Sequence, residues 1–259
     1  MKPKNKLLFG ILAAVFLILM AFSTWKIWGI KAAYRKGDDS YEEISSMVSL
    51  PQELPIPQSV ADTPTQSEAP AEDELLWPTV DFTALREINP DIVAWIYIEG
   101  TNISYPIVQG EDNSYYPKHL FSGEWNASGC IFLDTRNDAG FTDQNSVLYG
   151  HNMRNGAMFS ALESYKQQAF FDEHPAGLLV TPDRNYKIAF FSGYVASSQD
   201  DAWKTNFTDA EFETWIERTV SCSCFSSETA PDAADHILTL STCTYEFEGA
   251  RFVLVGVLQ

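Results

Sequence analysis

The chain reads as a mainly β protein, an antiparallel barrel or sandwich with helices inserted or appended, and three observations lead there. Beyond residue 79, short runs of β-branched and aromatic residues recur, bounded by turn signals. These runs follow one another with few helical patterns between them, unlike the βα alternation of a Rossmann-type sheet. The residues before 79 carry no pattern that would build a core. The packed domain is therefore confined to 79–259, a size that folds without disulfide or metal staples.

Within that domain, Asp81 is placed to cap a short helix through Ile88, stopped by Asn89-Pro90. Ile92–Ile98 reads as a strand, followed by the turn Glu99-Gly100-Thr101-Asn102. Strands are expected at Tyr105–Gln109, Gly129–Asp134 and Ser146–Tyr149. In Met158–Phe171, the positions Met158, Leu162, Tyr165 and Ala169 have helical spacing. Two more strands follow at Leu178–Thr181 and Tyr186–Val195. Thr208 with Glu211 forms a capping box, which starts a helix running to Ser221. Ile237–Thr242 and Phe252–Leu258 close the chain as strands.

The first 36 residues differ in kind. Lys2, Lys4 and Lys6 precede an uncharged run from Leu7 to Trp25, which as a helix rises about 28 Å, close to a bilayer's hydrocarbon thickness. An uncleaved signal anchor is expected over a cleavable signal peptide, although Ala21-Phe22-Ser23 has spacing suited to processing. Lys26, Lys31, Arg35 and Lys36 follow the span, so the positive-inside balance is nearly even. The long acidic segment that comes next, together with the chemistry at the end of the chain, favours a C-terminal domain outside the cytoplasm. From Gly37 to residue 78 the chain is acidic and Pro-rich with no Lys or Arg, the composition of an extended or disordered tether, with some helix persisting just past the membrane.

A net charge of −18 argues against nucleic acid as a partner, because phosphate binding needs clustered cations. The four cysteines, Cys130, Cys222, Cys224 and Cys243, contain no C-x-x-C pair, so free thiols are expected rather than a zinc or redox site. Cys130 lies in an apolar β run and reads as a core thiol. Cys222 and Cys224 follow a helix. Trp95 and Tyr115-Tyr116 read as packing residues. No cluster of metal ligands stands out.

Chemistry points to the end of the chain. One strand ends at Cys243 and the next begins at Arg251; in a hairpin the two face each other at the loop end. A guanidinium favours the thiolate, which is the nucleophilic form. Arginine cannot carry the proton, so a histidine is needed. His236 is on the same strand about 23 Å from Cys243. His174 ends an acidic helix, and His119 lies in a polar loop. His151 differs: it follows a strand in Leu148-Tyr149-Gly150-His151, with a glycine that permits close backbone approach.

The combination Thr239-Leu240-Ser241-Thr242-Cys243, a following Arg251 and the upstream Tyr149-Gly150-His151-Asn152-Met153 resembles the sortase family. Asn89–Ile96 and Ile131–Asn137 resemble its class B branch, as does the Thr208–Ser221 helix between the sixth and seventh strands. The resemblance covers about 79–259. It implies an eight-stranded sortase β-barrel with an N-terminal helix and an inserted helix before the last strands. It implies a cysteine transpeptidase in which Cys243 attacks the threonine carbonyl of a C-terminal sorting motif on a secreted protein. The thioacyl enzyme is then resolved by an amine of a peptidoglycan precursor or a pilin. His151 is the implied acid/base, Arg251 holds the carbonyl or oxyanion, and Ser241 and Thr242 contact substrate. The chemistry implies no cofactor, and the family implies a single-pass enzyme on a Gram-positive-type envelope. The Cys-to-Arg interval is shorter than in some class B enzymes, so N-P-x-T-N-like and L-P-x-T-G-like motifs both stay open. Trp203, in Val195–Phe207, is expected to line the same groove. A peptidase without an acceptor amine and a non-catalytic tethered surface domain are the rival readings.

Overall fold

The β-branched and aromatic runs become eight strands: β1 Ile92–Tyr97, β2 Ser104–Val108, β3 Ile131–Leu133, β4 Asn145–Tyr149, β5 Ala176–Val180, β6 Asn185–Ala196, β7 His236–Cys243 and β8 Arg251–Leu258. In this computed structural model, which describes residues 3–50 and 77–259, they close into one barrel in the order β8-β6-β5-β1-β2-β3-β4-β7. Closure leaves no free edge in the barrel. Most pairs are antiparallel, as expected, but β2–β3 and β4–β7 run parallel. Those two seams are possible because long connections carry the chain back before each parallel partner begins.

Alternation along β8 sorts its side chains. Phe252 and Leu254 belong to the main core cluster with Ile96, Ile107 and Phe190. Val253, Val255 and Val257 point outward against Phe212, Trp215 and Ile216, which lie on a helix at Asp209–Ser221. That helix begins at the expected capping box, with Thr208 and Glu211 exchanging hydrogen bonds. Burying Phe212 and Trp215 stabilises this outer layer by roughly 2–3 kcal/mol each.

Two expectations need correction. Met158–Phe171 is not one helix: Phe159–Lys166 is 3₁₀, Gln167 is extended, and a short α-helix spans Gln168–Glu173. Phe159, Leu162 and Tyr165 are all fully buried, and their strict three-residue spacing is the 3₁₀ period rather than the α period. Ala169, expected on the inner face, is exposed.

The second correction concerns the tether. The N-terminal helix, α1, spans Pro3–Ser45, so Gly37–Ser45 is helical rather than extended. Side-chain packing holds it there, since Tyr41 and Ile44 are buried against the barrel and Tyr41 donates a 2.7 Å hydrogen bond to the Gly129 carbonyl. The fit at Gly37 is close: a Cβ there would come 2.9 Å from Ser128 Oγ, so a larger residue would displace that hydroxyl. Val48–Ser49 then pairs with Thr79–Val80, so the chain leaves and re-enters at one place. The rest of the expected tether, 51–76, lies outside the described residues.

Candidate active site

β7 ends at Cys243 and β8 starts at Arg251, and the two residues are direct register partners. On the other side β7 runs parallel to β4, with Tyr149 opposite Ser241. Two positions past Tyr149 is His151, and two past Ser241 is Cys243. Adjacent strands lie about 4.8 Å apart, so the backbones of His151 and Arg251 flank Cys243 across roughly 10 Å. By the alternation of β7 and β8, Ser241, Cys243 and Arg251 share the outward parity of Ile237 and Val253. The three expected residues are therefore brought together at one barrel end, where they line a cleft of ≈ 200 Å³ with Pro117, Cys130, Phe132 and Tyr149.

Local structure fixes each of them. Gly150 N–H donates to the Ser241 carbonyl at 3.1 Å, which continues the parallel seam one step past the strand. A Cβ at Gly150 would sit 2.5 Å from Ile131 and 2.6 Å from the Phe159 ring, so only glycine lets the chain turn here. The His151 carbonyl accepts from Phe159 N–H at 3.0 Å. Its Nε2–H donates to the Pro117 carbonyl at 2.7 Å, which leaves Nδ1 as the ring nitrogen available to exchange a proton. Asn152 Nδ2 donates to the Cys243 carbonyl at 2.9 Å. Arg251 Nη1 donates to the Ala250 carbonyl at 2.9 Å, which anchors one edge of the guanidinium and leaves the rest for a ligand.

The second thiol in the cleft is of a different kind. Cys130 is 2 % exposed, and burial pushes its thiol up to about 12. It stays protonated at neutral pH and serves as wall. Cys243 is partly exposed. Cys222 and Cys224 are exposed free thiols at the end of the Asp209–Ser221 helix.

Ser241 and Thr242 behave differently. The Ser241 hydroxyl faces the cleft side and accepts a 3.0 Å hydrogen bond from Trp203 Nε1. Thr242 has the inward parity of Leu240, and its hydroxyl is buried without a partner, so it offers the cleft main chain rather than a side-chain group. Trp203 reaches the site through Ser241, as a neighbour of the groove. Its carbonyl accepts from Arg136 Nη2 at 2.9 Å, and Arg136 grips Asp134 through Nε at 2.9 Å and Nη2 at 2.7 Å. The Tyr149 hydroxyl donates to the same carboxylate at 2.8 Å. Burial works against the Asp134 charge, but the hydrogen bonds from Arg136 and Tyr149 outweigh it and hold the carboxyl at about 2. A polar chain thus runs from β4 through Asp134, Arg136 and Trp203 to β7.

On the β8 side, Lys166 Nζ binds Glu163 at 2.9 Å and Thr244 Oγ1 at 3.0 Å, pairs with Glu246, and sits 5.5 Å over the Phe252 ring. It ties the loop between Cys243 and Arg251 to the 3₁₀ segment. Sequence reasoning assigned no role to Asn152, Arg136 or Lys166. Asn152 stands next to His151 and Arg136 in a stretch with class B character, whereas nothing local in the sequence marks Lys166.

The other histidines lie elsewhere. His236 opens β7 and faces the Asp143 carbonyl at 3.0 Å, His119 stacks on Tyr115 at 3.9 Å, and His174 caps the helix Gln168–Glu173.

A closed barrel with a thiol, an imidazole and a guanidinium gathered at one end is the architecture of a cysteine transpeptidase. The Sortase domain family model matches residues 96–259. The sortase B of Listeria monocytogenes is 32% identical over 250 residues, covering 95% of each chain. Among solved structures, Clostridium perfringens sortase B superposes with a TM-score of 0.66 at 37% identity, covering 69% of this chain and 100% of that one. A Staphylococcus aureus sortase B–substrate complex gives 0.66 at 33% identity, with 69% and 84% covered. The chain belongs to the sortase family, on its class B branch.

Proposed function

We propose that this transpeptidase is membrane-anchored through α1 and uses Cys243 as nucleophile. Its substrate is the C-terminal sorting motif of a secreted protein. The observation that carries this reading is the row His151–Cys243–Arg251 across β4, β7 and β8 in one cleft. The Cys243 thiolate adds to the threonine carbonyl, and the resulting oxyanion is met by the free N–H groups of Arg251. Collapse of the tetrahedral species breaks the peptide bond, and protonated His151 gives its Nδ1 proton to the leaving amine. A thioacyl enzyme remains. An incoming amine, from a peptidoglycan precursor or a pilin, loses a proton to His151, attacks the thioester and releases Cys243. Ser241 contacts the motif through a hydroxyl oriented by Trp203, and Thr242 through its main chain.

The anchor reading rests on the apolar stretch of α1, whose exposed side chains include Leu12, Phe16, Leu19 and Phe22. A helix with that surface is satisfied in hydrocarbon.

The test incubates the full chain and its Cys243→Ala variant with fluorogenic sorting-motif peptides, with and without an amine acceptor. Cleavage by the wild type alone, and a ligated product when the amine is present, is the expected outcome. Cleavage that survives in Cys243→Ala would sink the nucleophile assignment, and hydrolysis that never yields a ligated product would sink the transfer step.

A further inference from the structure

Three indole rings lie open on one side of the molecule. Trp25, Trp28 and Trp125 are 66%, 73% and 67% exposed, whereas Trp95 and Trp215 are buried. Trp25 and Trp28 mark the end of the apolar run in α1. Trp125 comes from the loop that precedes β3, and it meets α1 there: with Ala127 it lines a groove of ≈ 530 Å³ against Trp25, Lys26, Gly29 and Ala33. The loop is fastened to the helix. Asn126 Nδ2 donates to the Ala33 carbonyl at 2.9 Å, and Lys36 pairs with Glu124 at 3.1 Å.

Charge is distributed to match. The chain carries −18 overall, yet residues 26–36 hold Lys26, Lys31, Arg35 and Lys36 with no acidic residue among them. Indoles beside lysines and arginines, where an apolar helix run stops, are what the headgroup layer of a bilayer accommodates.

We infer that Trp125 and the Trp25–Trp28 turn of α1 form one docking surface for the phospholipid bilayer interface, so that the barrel is seated on the membrane rather than tethered above it. This rests on α1 being the membrane anchor proposed above, and its occupant follows from continuity with that anchor. The seat also sets a height. Along the helix, Trp25 to Tyr41 is about 24 Å, and Tyr41 binds Gly129 beside Cys130 in the cleft wall.

Single-site fluorescence labelling tests it. The full chain with Cys222→Ser, Cys224→Ser and Cys243→Ser keeps only the buried Cys130. Val15→Cys, Ala127→Cys or Glu213→Cys is added, labelled with NBD and reconstituted in phosphatidylcholine–phosphatidylglycerol vesicles. Quenching is read with lipids that carry a nitroxide deep in the acyl chain or near the headgroup.

Deep nitroxide quenches the label at 15, which reports the anchor. Headgroup nitroxide is expected to quench the label at 127 at least about threefold more than the label at 213 on the far helix, and Trp125→Ser to reduce that excess. Equal quenching at 127 and 213, with 15 still quenched, overturns the docking surface while leaving the anchor. Loss of quenching at 15 overturns the anchor and this inference with it. A label at 127 shielded only by a second copy of the chain would respond to protein concentration and not to nitroxide depth, which also overturns it.

Discussion

β7 has two neighbours, and they contribute to the candidate site in different ways. On one side is β8, joined by a short loop and paired residue for residue, Cys243 against Arg251. On the other is β4, parallel and far away in sequence, with Asn152 reaching the Cys243 carbonyl across 91 positions. The guanidinium is placed by a local hairpin, whereas the imidazole is placed by closure of the whole barrel. His151, the proposed proton carrier, is therefore the member of the set most exposed to damage elsewhere in the fold, and Arg251, the proposed charge partner, is the best protected.

The largest expected effect breaks the β4 side at its tip. His151→Ala should lower kcat/KM by about 10³-fold, since it removes proton transfer in both half-reactions. Added imidazole should restore part of the rate, and an unchanged rate would remove His151 from the mechanism. On the β8 side, Arg251→Ala should cost about 10²-fold, mostly in kcat, because an oxyanion donor acts in the transition state. A change confined to KM would reassign Arg251 to ground-state binding.

Asp134→Asn sharpens the comparison through stability. The native state holds this carboxyl at about 2, so the charged form favours folding. That contribution is complete above about pH 4 and is lost as pH falls towards 2, on the order of 2 kcal/mol. The variant should be destabilised by about that amount at pH 7 and show a flatter Tm against pH between 4 and 2. A parallel pH curve would mean that Asp134 is not the group titrating. The smallest effect belongs to Lys166→Met, which removes the ion pair joining the 3₁₀ segment to Glu246 of the Cys243–Arg251 loop. Because this pair is partly exposed, a rise in KM of about threefold is expected, with Tm nearly unchanged.

The same division explains what the sequence disclosed. The Cys243–Arg251 pairing was legible because a hairpin is local: two β runs and a short loop containing Gly249 define it. The Asp209–Ser221 helix was legible for the same reason, through Thr208 and Glu211. His151 was singled out by its strand end and by resemblance to the sortase family; the parallel β4–β7 register that brings it to Cys243 is a property of strand order, which no local pattern encodes. The 3₁₀ segment was missed because Leu162 and Tyr165 satisfy α and 3₁₀ spacing alike, and only Phe159, three residues before Leu162, discriminates. How far the helix runs past the membrane was not legible, because the composition of Gly37–Ser45 is that of a tether; contacts through Tyr41 and Ile44 to the barrel decide its state.

The parallel seam also governs when the site comes into being. Strands that must meet across so many residues pair late, because the loop between them has to be closed first. The β7–β8 hairpin needs only its own loop and forms on a microsecond scale. The expected order during folding is that Cys243 meets Arg251 first and His151 only when the barrel shuts, which pulsed alkylation of Cys243 during refolding would check. A chain caught in that interval holds a thiol and a cation but no proton relay. Its thiol can be alkylated or oxidised, while the chain itself does not turn over.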